Sequence, residues 1–82
     1  MRYRFVTEDE VLEYFIRLST RKRQSLLETF QLLADHAPLP GELSHRDTND
    51  RHIYVWERGR WRIWFWYDGP VNEVRIVEVD QI

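Results

Sequence analysis

Along this chain the spacing of apolar residues switches from two to about 3.6 and back to two, and each switch predicts an element. Residues 2–6, RYRFV, alternate with Tyr3 and Phe5 on one side, which predicts a short first strand. Val11, Leu12, Phe15, Ile16 and Leu18 then recur at three- and four-residue spacings and predict one buried stripe of an amphipathic helix. Thr7 followed by Glu10 reads as its capping box, the threonine oxygen taking an orphan amide of the first turn. Ser19 and Thr20 break the stripe and supply a second N-cap. Leu26, Leu27, Phe30, Leu33, Ala34 and Ala37 next define a second helix that ends before Pro38. The two helices form a hairpin.

Residues 38–50, PLPGELSHRDTND, carry no period and read as a long polar loop. Alternation returns at His52. A second strand is predicted over His52–Glu57, a turn at Arg58 and Gly59, a third strand over Trp61–Tyr67, and a turn over Asp68–Asn72. In the last strand, Glu73–Asp80, the residues Val74, Ile76, Val77 and Val79 are apolar on both sides, which places it inside the sheet. Every glycine and proline falls between these segments, and none interrupts a periodic one. The order is βααβββ. The expected class is α+β, with the N-terminal strand and helical hairpin on one face of a small, mostly antiparallel sheet, and residues 1–82 forming a single domain.

The hairpin segment RHIYVWERGRWRIWFWY holds all four tryptophans and interleaves them with arginines. Read by parity alone, His52, Tyr54, Trp56, Arg58, Arg62, Trp64 and Trp66 share one face, aromatic and basic. Ile53, Val55, Trp61, Ile63, Phe65 and Tyr67 share the other, which reads as core. Large aromatics on a solvated sheet face require a cover. A partner chain, a bound target, or the 38–50 loop folded back would each provide one.

Composition narrows the classes. Eighty-two residues make one small domain, and 43% hydrophobic with 15% aromatic content makes it a folded one. A net charge of -2 weakens any general affinity for nucleic acid. Eleven of the twelve basic residues are arginine, suited to bidentate and stacking contacts. Three of the basic residues, Arg21, Lys22 and Arg23, fall in the first turn of the second helix, where the macrodipole disfavours cations. With no cysteine there is no disulfide framework or thiolate metal site, and a reducing compartment fits. His36, His45 and His52 match no metal-ligand spacing, and no glycine-rich phosphate loop is present, so neither metal nor cofactor is expected. The N-terminus lacks the apolar run of a signal peptide and no segment is long enough to span a bilayer, which predicts a soluble cytoplasmic protein without membrane contact.

The one unusual constellation is the aromatic, arginine-rich hairpin. Tryptophan and tyrosine rings stack on unpaired bases while arginine meets phosphate, and the same residues dominate protein interfaces. Trp56, Arg58, Arg60, Trp64 and Trp66 are therefore the candidate RNA- or partner-binding residues.

The strand, the helical hairpin VTEDEVLEYFIRLSTRKRQSLLETFQLLADHAPLP, the hairpin RHIYVWERGRWRIWFWYDG and the final VRIVEVD together resemble the RelE/ParE superfamily of type II toxin-antitoxin toxins, the plasmid-stabilisation type. The resemblance implies a toxin that inhibits growth, by ribosome-dependent mRNA cleavage or by DNA gyrase inhibition, and that a cognate antitoxin protein neutralises. Arg62 matches the family arginine that contacts the scissile phosphate in RNA-cleaving members. Ile53, Tyr54, Val55 and Trp56 stand where those members carry lysines or a glutamate, and the chain ends at Asp80, Gln81 and Ile82 without their C-terminal catalytic residues. Attack by a 2′-hydroxyl needs a base, and arginine cannot be one. His52 and Tyr54 are the replacements, with Glu57 behind them. The catalytic set of an mRNA endoribonuclease would then be Arg62, His52 and Tyr54. The alternative is a catalytically inert module of the same fold that uses its aromatic face for protein contacts or homodimer formation.

Overall fold

The computed structural model describes residues 2–38 and 42–82. The elements are β1 (Arg4–Thr7), α1 (Asp9–Arg17), α2 (Thr20–Asp35), β2 (Glu42–Arg46), β3 (His52–Arg58), β4 (Trp61–Asp68), a 3-10 turn (Gly69–Val71) and β5 (Glu73–Gln81). Strands lie in the order β1-β5-β4-β3-β2, with β1 parallel to β5 and every other pair antiparallel. The α+β class and the interior position of the last strand stand as read from the sequence. The sheet has one strand more than the pattern predicts, because β2 forms within the 38–50 stretch. Residues 39–41 of that stretch lie outside the described residues. All five residues of β2 are exposed, so it has no buried face and leaves no alternation to read.

Helix starts depart from the sequence reading in one place. Thr7 stays in β1, in register with Ile76, and the backbone N–H of Glu8 donates to the Ile76 carbonyl at 3.0 Å. Glu8 is therefore the N-cap, no side chain caps α1, and the Thr7–Glu10 capping box does not form. Asp9 and Glu10 in the first turn supply the negative charge that favours a helix N-terminus. At the second helix the reading holds, with Ser19 Oγ accepting from the Lys22 N–H at 3.3 Å.

The core lies between the helices and one sheet face. Val11, Leu26, Phe30 and Leu33 from the helices meet Trp61, Ile63, Phe65, Val74 and Ile76 from the sheet, all buried. Between β4 and β5 the register shifts: Trp64 pairs with Glu78 and Phe65 with Ile76, leaving Val77 as the extra residue of a bulge. That single residue brings Val79 onto the same side as Val74 and Ile76. Trp61 ties sheet to helix directly, its indole N–H donating to Ser25 Oγ at 3.1 Å.

The apolar stripes of both helices are narrower in the fold than their sequence suggests. Val11, Phe15 and Leu18 take the sheet-facing line of α1, while Leu12 and Ile16, one residue further round the helix, are 51% and 59% exposed. Leu27 on α2 is likewise exposed at 47%. Leu12, Phe15, Leu27 and Phe30 line, with Phe5 and Thr7, an apolar groove of about 180 Å³.

Candidate functional site

The hairpin turns through Gly59 and Arg60, closed by the pair Arg58 and Trp61. Gly59 has φ +58° and Arg60 a negative φ, the pattern of a type II′ hairpin, in which glycine takes the first loop position without strain. A two-residue loop pairs residues an odd number apart. Parity therefore inverts across the turn, and each even residue of β3 stands opposite an odd residue of β4: Tyr54 with Phe65, Trp56 with Ile63, Arg58 with Trp61. The single even-numbered aromatic face expected from the sequence does not exist. His52, Tyr54, Trp56 and Arg58 lie on the helix side with Trp61, Ile63, Phe65 and Tyr67. Arg62, Trp64 and Trp66 lie on the outer side with Ile53, Val55 and Glu57. Arg60 is in the turn.

The outer face can be built up row by row from the register. Asp80, Arg62 and Glu57 form one row, and Glu78, Trp64, Val55 and Glu42 the next. Arg75 and Trp66 lie opposite one another in the third, and Arg4, Glu73 and Asp68 close the far end. In the first row Arg62 Nε donates to Glu57 Oε2 at 2.5 Å, so the guanidinium is already neutralised by its cross-strand neighbour. In the third, the guanidinium of Arg51 lies 4.4 Å from the Trp66 ring centroid and that of Arg75 5.9 Å from it. The indole N–H of Trp66 is buried without a hydrogen-bond partner.

Arg51 is held over Trp66 by Asp47. One oxygen of that carboxylate accepts from the backbone N–H groups of Asn49 and Arg51, both at 2.9 Å, and the other from Arg51 Nε at 2.7 Å. The Arg51 amide above all holds the Asp47 carboxyl below the usual carboxylate range; desolvation, next in size, opposes it, and the Arg51 guanidinium and the Asn49 amide add to the lowering. Because the folded value is the lowered one, the contribution of this clasp is complete above about pH 4 and is lost as pH falls through the lowered value. A carboxyl titration by NMR should place Asp47 below the ordinary aspartate value. Arg51→Ala should recover only part of the shift, since the amide donors remain, and a full return to the ordinary value would contradict the assignment to backbone donors.

The three residues expected to form a catalytic set are not brought together. Arg62 is on the outer face near the turn. His52 and Tyr54 are on the helix side at the other end of β3, with ring centroids 6.4 Å apart and Tyr54 stacked against Phe65 at 6.0 Å. His52 and Tyr54 instead join Arg51, Trp66 and Tyr67 around a cleft of about 300 Å³ at the end of the sheet. Among the expected binding residues, Trp56 and Arg58 border a separate groove with Leu32 and His36, against α2. Trp64 and Trp66 remain on the outer face. The 42–46 segment extends the sheet at its edge and so does not fold over that face.

Sequence reading missed the carboxylates that surround Trp64. Glu42, Glu57, Glu78 and Asp80 all share its face by register. The signal available for one of them was the loop length: a two-residue turn assigns Glu57 to the face of Arg62 at once. Glu78 and Asp80 needed the bulge at Val77, and Glu42 needed β2, neither of which the pattern reveals. No group of three or more histidine, aspartate or glutamate side chains among the described residues is arranged to hold a metal ion, and no helix among them is long and apolar enough to cross a membrane.

No protein-family model matches the sequence, and no curated protein matches it either. Solved structures do match. A chain of the RelBE2 toxin-antitoxin complex from Mycobacterium tuberculosis superposes with a TM-score of 0.81 at 18% identity, covering 100% of both chains. The archaeal RelE-RelB complex from Pyrococcus horikoshii OT3 gives 0.70 at 19% identity over 99% of this chain and 96% of the other. A mutant of the E. coli toxin RelE in the free state gives 0.67 at 14% identity, covering 99% and 84%. With the two helices on one face of a five-stranded mixed sheet, the chain has the RelE toxin fold.

Proposed function

We propose that this chain is the toxin component of a type II toxin-antitoxin module, neutralised by a cognate antitoxin protein, and that it inhibits growth by binding a protein target rather than by cutting RNA. The fold match to chains from RelBE complexes supports the first part. The observation that carries the second is the separation of the catalytic candidates. Arg62 is paired to Glu57, and neither His52 nor Tyr54 shares its sheet face, so the arginine that the family resemblance matches to a phosphate contact lacks either candidate base beside it. Glu57, the remaining candidate base, is occupied by its bond to Arg62. Of the two actions that the family resemblance implies, gyrase inhibition fits this arrangement better than mRNA cleavage. Trp64, half-buried on the outer face, supplies the kind of aromatic anchor that protein interfaces favour.

Induced expression of the chain alone is expected to arrest growth, and co-expression of the product of the adjoining gene to restore it. Mapping of mRNA ends should find no new ribosome-associated cuts, while gyrase-linked DNA breaks should rise. Trp64→Ala should relieve the arrest at least as well as Arg62→Ala. Normal growth together with no complex would refute the toxin reading; new mRNA cuts abolished by Arg62→Ala would refute the non-cleaving mechanism alone.

A further inference from the structure

The outer sheet face pairs an apolar centre with acidic borders. Trp64 and Val55, adjacent across β4 and β3, are both half-buried and stand between Glu78 on β5 and Glu42 on β2. The next row sets Arg62 between Asp80 and Glu57. Four carboxylates thus border this half of the face against one guanidinium, and that guanidinium is bonded to one of the four. At the other end Trp66 already carries the Arg51 guanidinium over its ring.

We propose that this face binds an amphipathic helix with basic flanks, contributed by a protein partner. Charge complementarity selects the occupant. A polyanion would meet an excess of carboxylates around Trp64, and a base stacking on Trp66 would have to displace Arg51. The dimensions fit a helix lying along the strands. Glu78 and Glu42 are three strand spacings apart, about 14 Å, slightly wider than a helix of roughly 10 to 12 Å with its side chains. A leucine stripe would rest on Trp64 and Val55, and lysine or arginine stems on either side would lie over apolar surface while their charges reach the two acidic borders. The borders add selectivity and encounter rate, and the tryptophan supplies the anchor. Binding here does not depend on toxicity, and the two are measured separately.

The probe is a synthetic helix of about 18 residues, roughly five turns, with leucines along one stripe and lysines on both flanks. It is titrated by calorimetry against the intact chain, beside a peptide with glutamates in place of the lysines and a single-stranded RNA of mixed sequence. Saturable, salt-sensitive binding of the lysine peptide is expected, at least about tenfold weaker in a Glu42→Lys, Glu78→Lys double variant, with the other two probes weaker still. Both substituted positions are exposed, and unchanged melting of the variant confirms that its fold is intact. Tighter binding of the RNA or of the glutamate peptide would overturn the proposal. So would affinity for the lysine peptide unchanged in the double variant, or sedimentation that finds a dimer dissociated by the same two substitutions, which would make a second copy the occupant.

Discussion

Replacing Trp61 by alanine is expected to cost about 3 to 5 kcal/mol, enough to unfold much of the population. A chain of 82 residues has a total stability of about 4 to 12 kcal/mol at ordinary per-residue values, so one core position holds a large share of it. Trp61 is the largest fully buried side chain and is 1% exposed. It occupies the end of the core nearest the hairpin turn, opposite Arg58 on β3 and Gln81 on β5. Its removal would leave a cavity between β4 and α2 and strand Ser25 Oγ without the indole donor at 3.1 Å. Two companions separate these effects. Ser25→Ala removes only the acceptor and should cost about 1 kcal/mol, whereas Trp61→Phe retains most of the ring and should fall between. Urea unfolding followed by far-UV circular dichroism measures all three without relying on the fluorescence that the substitution removes. A loss below about 1 kcal/mol for Trp61→Ala would contradict the core assignment.

The second large effect is expected at Glu73, a buried carboxylate on the outer face. Its Oε2 accepts from Arg4 Nε at 3.0 Å and Nη2 at 2.6 Å, and its Oε1 forms an ion pair with Arg75 Nη2 at 2.9 Å, outside hydrogen-bond geometry. Arg4 is in register with Glu73 across the parallel β1–β5 pair, so this network joins the first strand of the chain to the last. Glu73→Ala would leave Arg75 with only the distant Asp68 carboxylate, 3.7 Å away, beneath Trp66 and half-buried. A fully buried charge stripped of its partner costs more, but Arg4 is 74% exposed and can turn to water, so the expected loss is about 2 to 3 kcal/mol. Glu73→Gln retains one acceptor and should cost less. In a double-mutant cycle, Arg4→Ala and Glu73→Ala should be non-additive, and strict additivity would mean that the pair contributes nothing to joining β1 to β5.

Much of this arrangement is legible residue by residue. The helical hairpin follows from the 3.6-residue spacing of Val11, Phe15 and Leu18 and of Leu26, Phe30 and Leu33, with Ser19 as the break and cap between them. The interior position of β5 follows from Val74 to Val79 being apolar on both sides. What escapes pattern reading escapes for definite reasons. An edge strand exposed along its whole length, Glu42–Arg46, needs no apolar face, because hydrogen bonds to β3 and not burial hold it. Leu12, Ile16 and Leu27 keep the helical period yet miss the sheet, since a helix resting on a flat sheet buries one line of side chains more deeply than its neighbours.

The candidate site shows the same division. The residue types, four tryptophans interleaved with arginines, are a property of the sequence, and so is the resemblance to RelE/ParE toxins that they carry. Which of those residues meet is not. One two-residue turn inverts parity between β3 and β4, one bulge at Val77 shifts the second half of β5, and one edge strand adds Glu42. Together they move Tyr54 and Trp56 to the core and surround Trp64 with carboxylates. Local sequence determined both helices, the strands β1, β3, β4 and β5 and their apolar content, because period and capping act within a few residues. The tertiary structure alone decided that Asp80 and Glu78 stand beside Arg62 and Trp64 and that Glu42 joins them, because the bulge at Val77 and the pairing of β2 with β3 are set by contacts between strands and leave no trace in the local pattern.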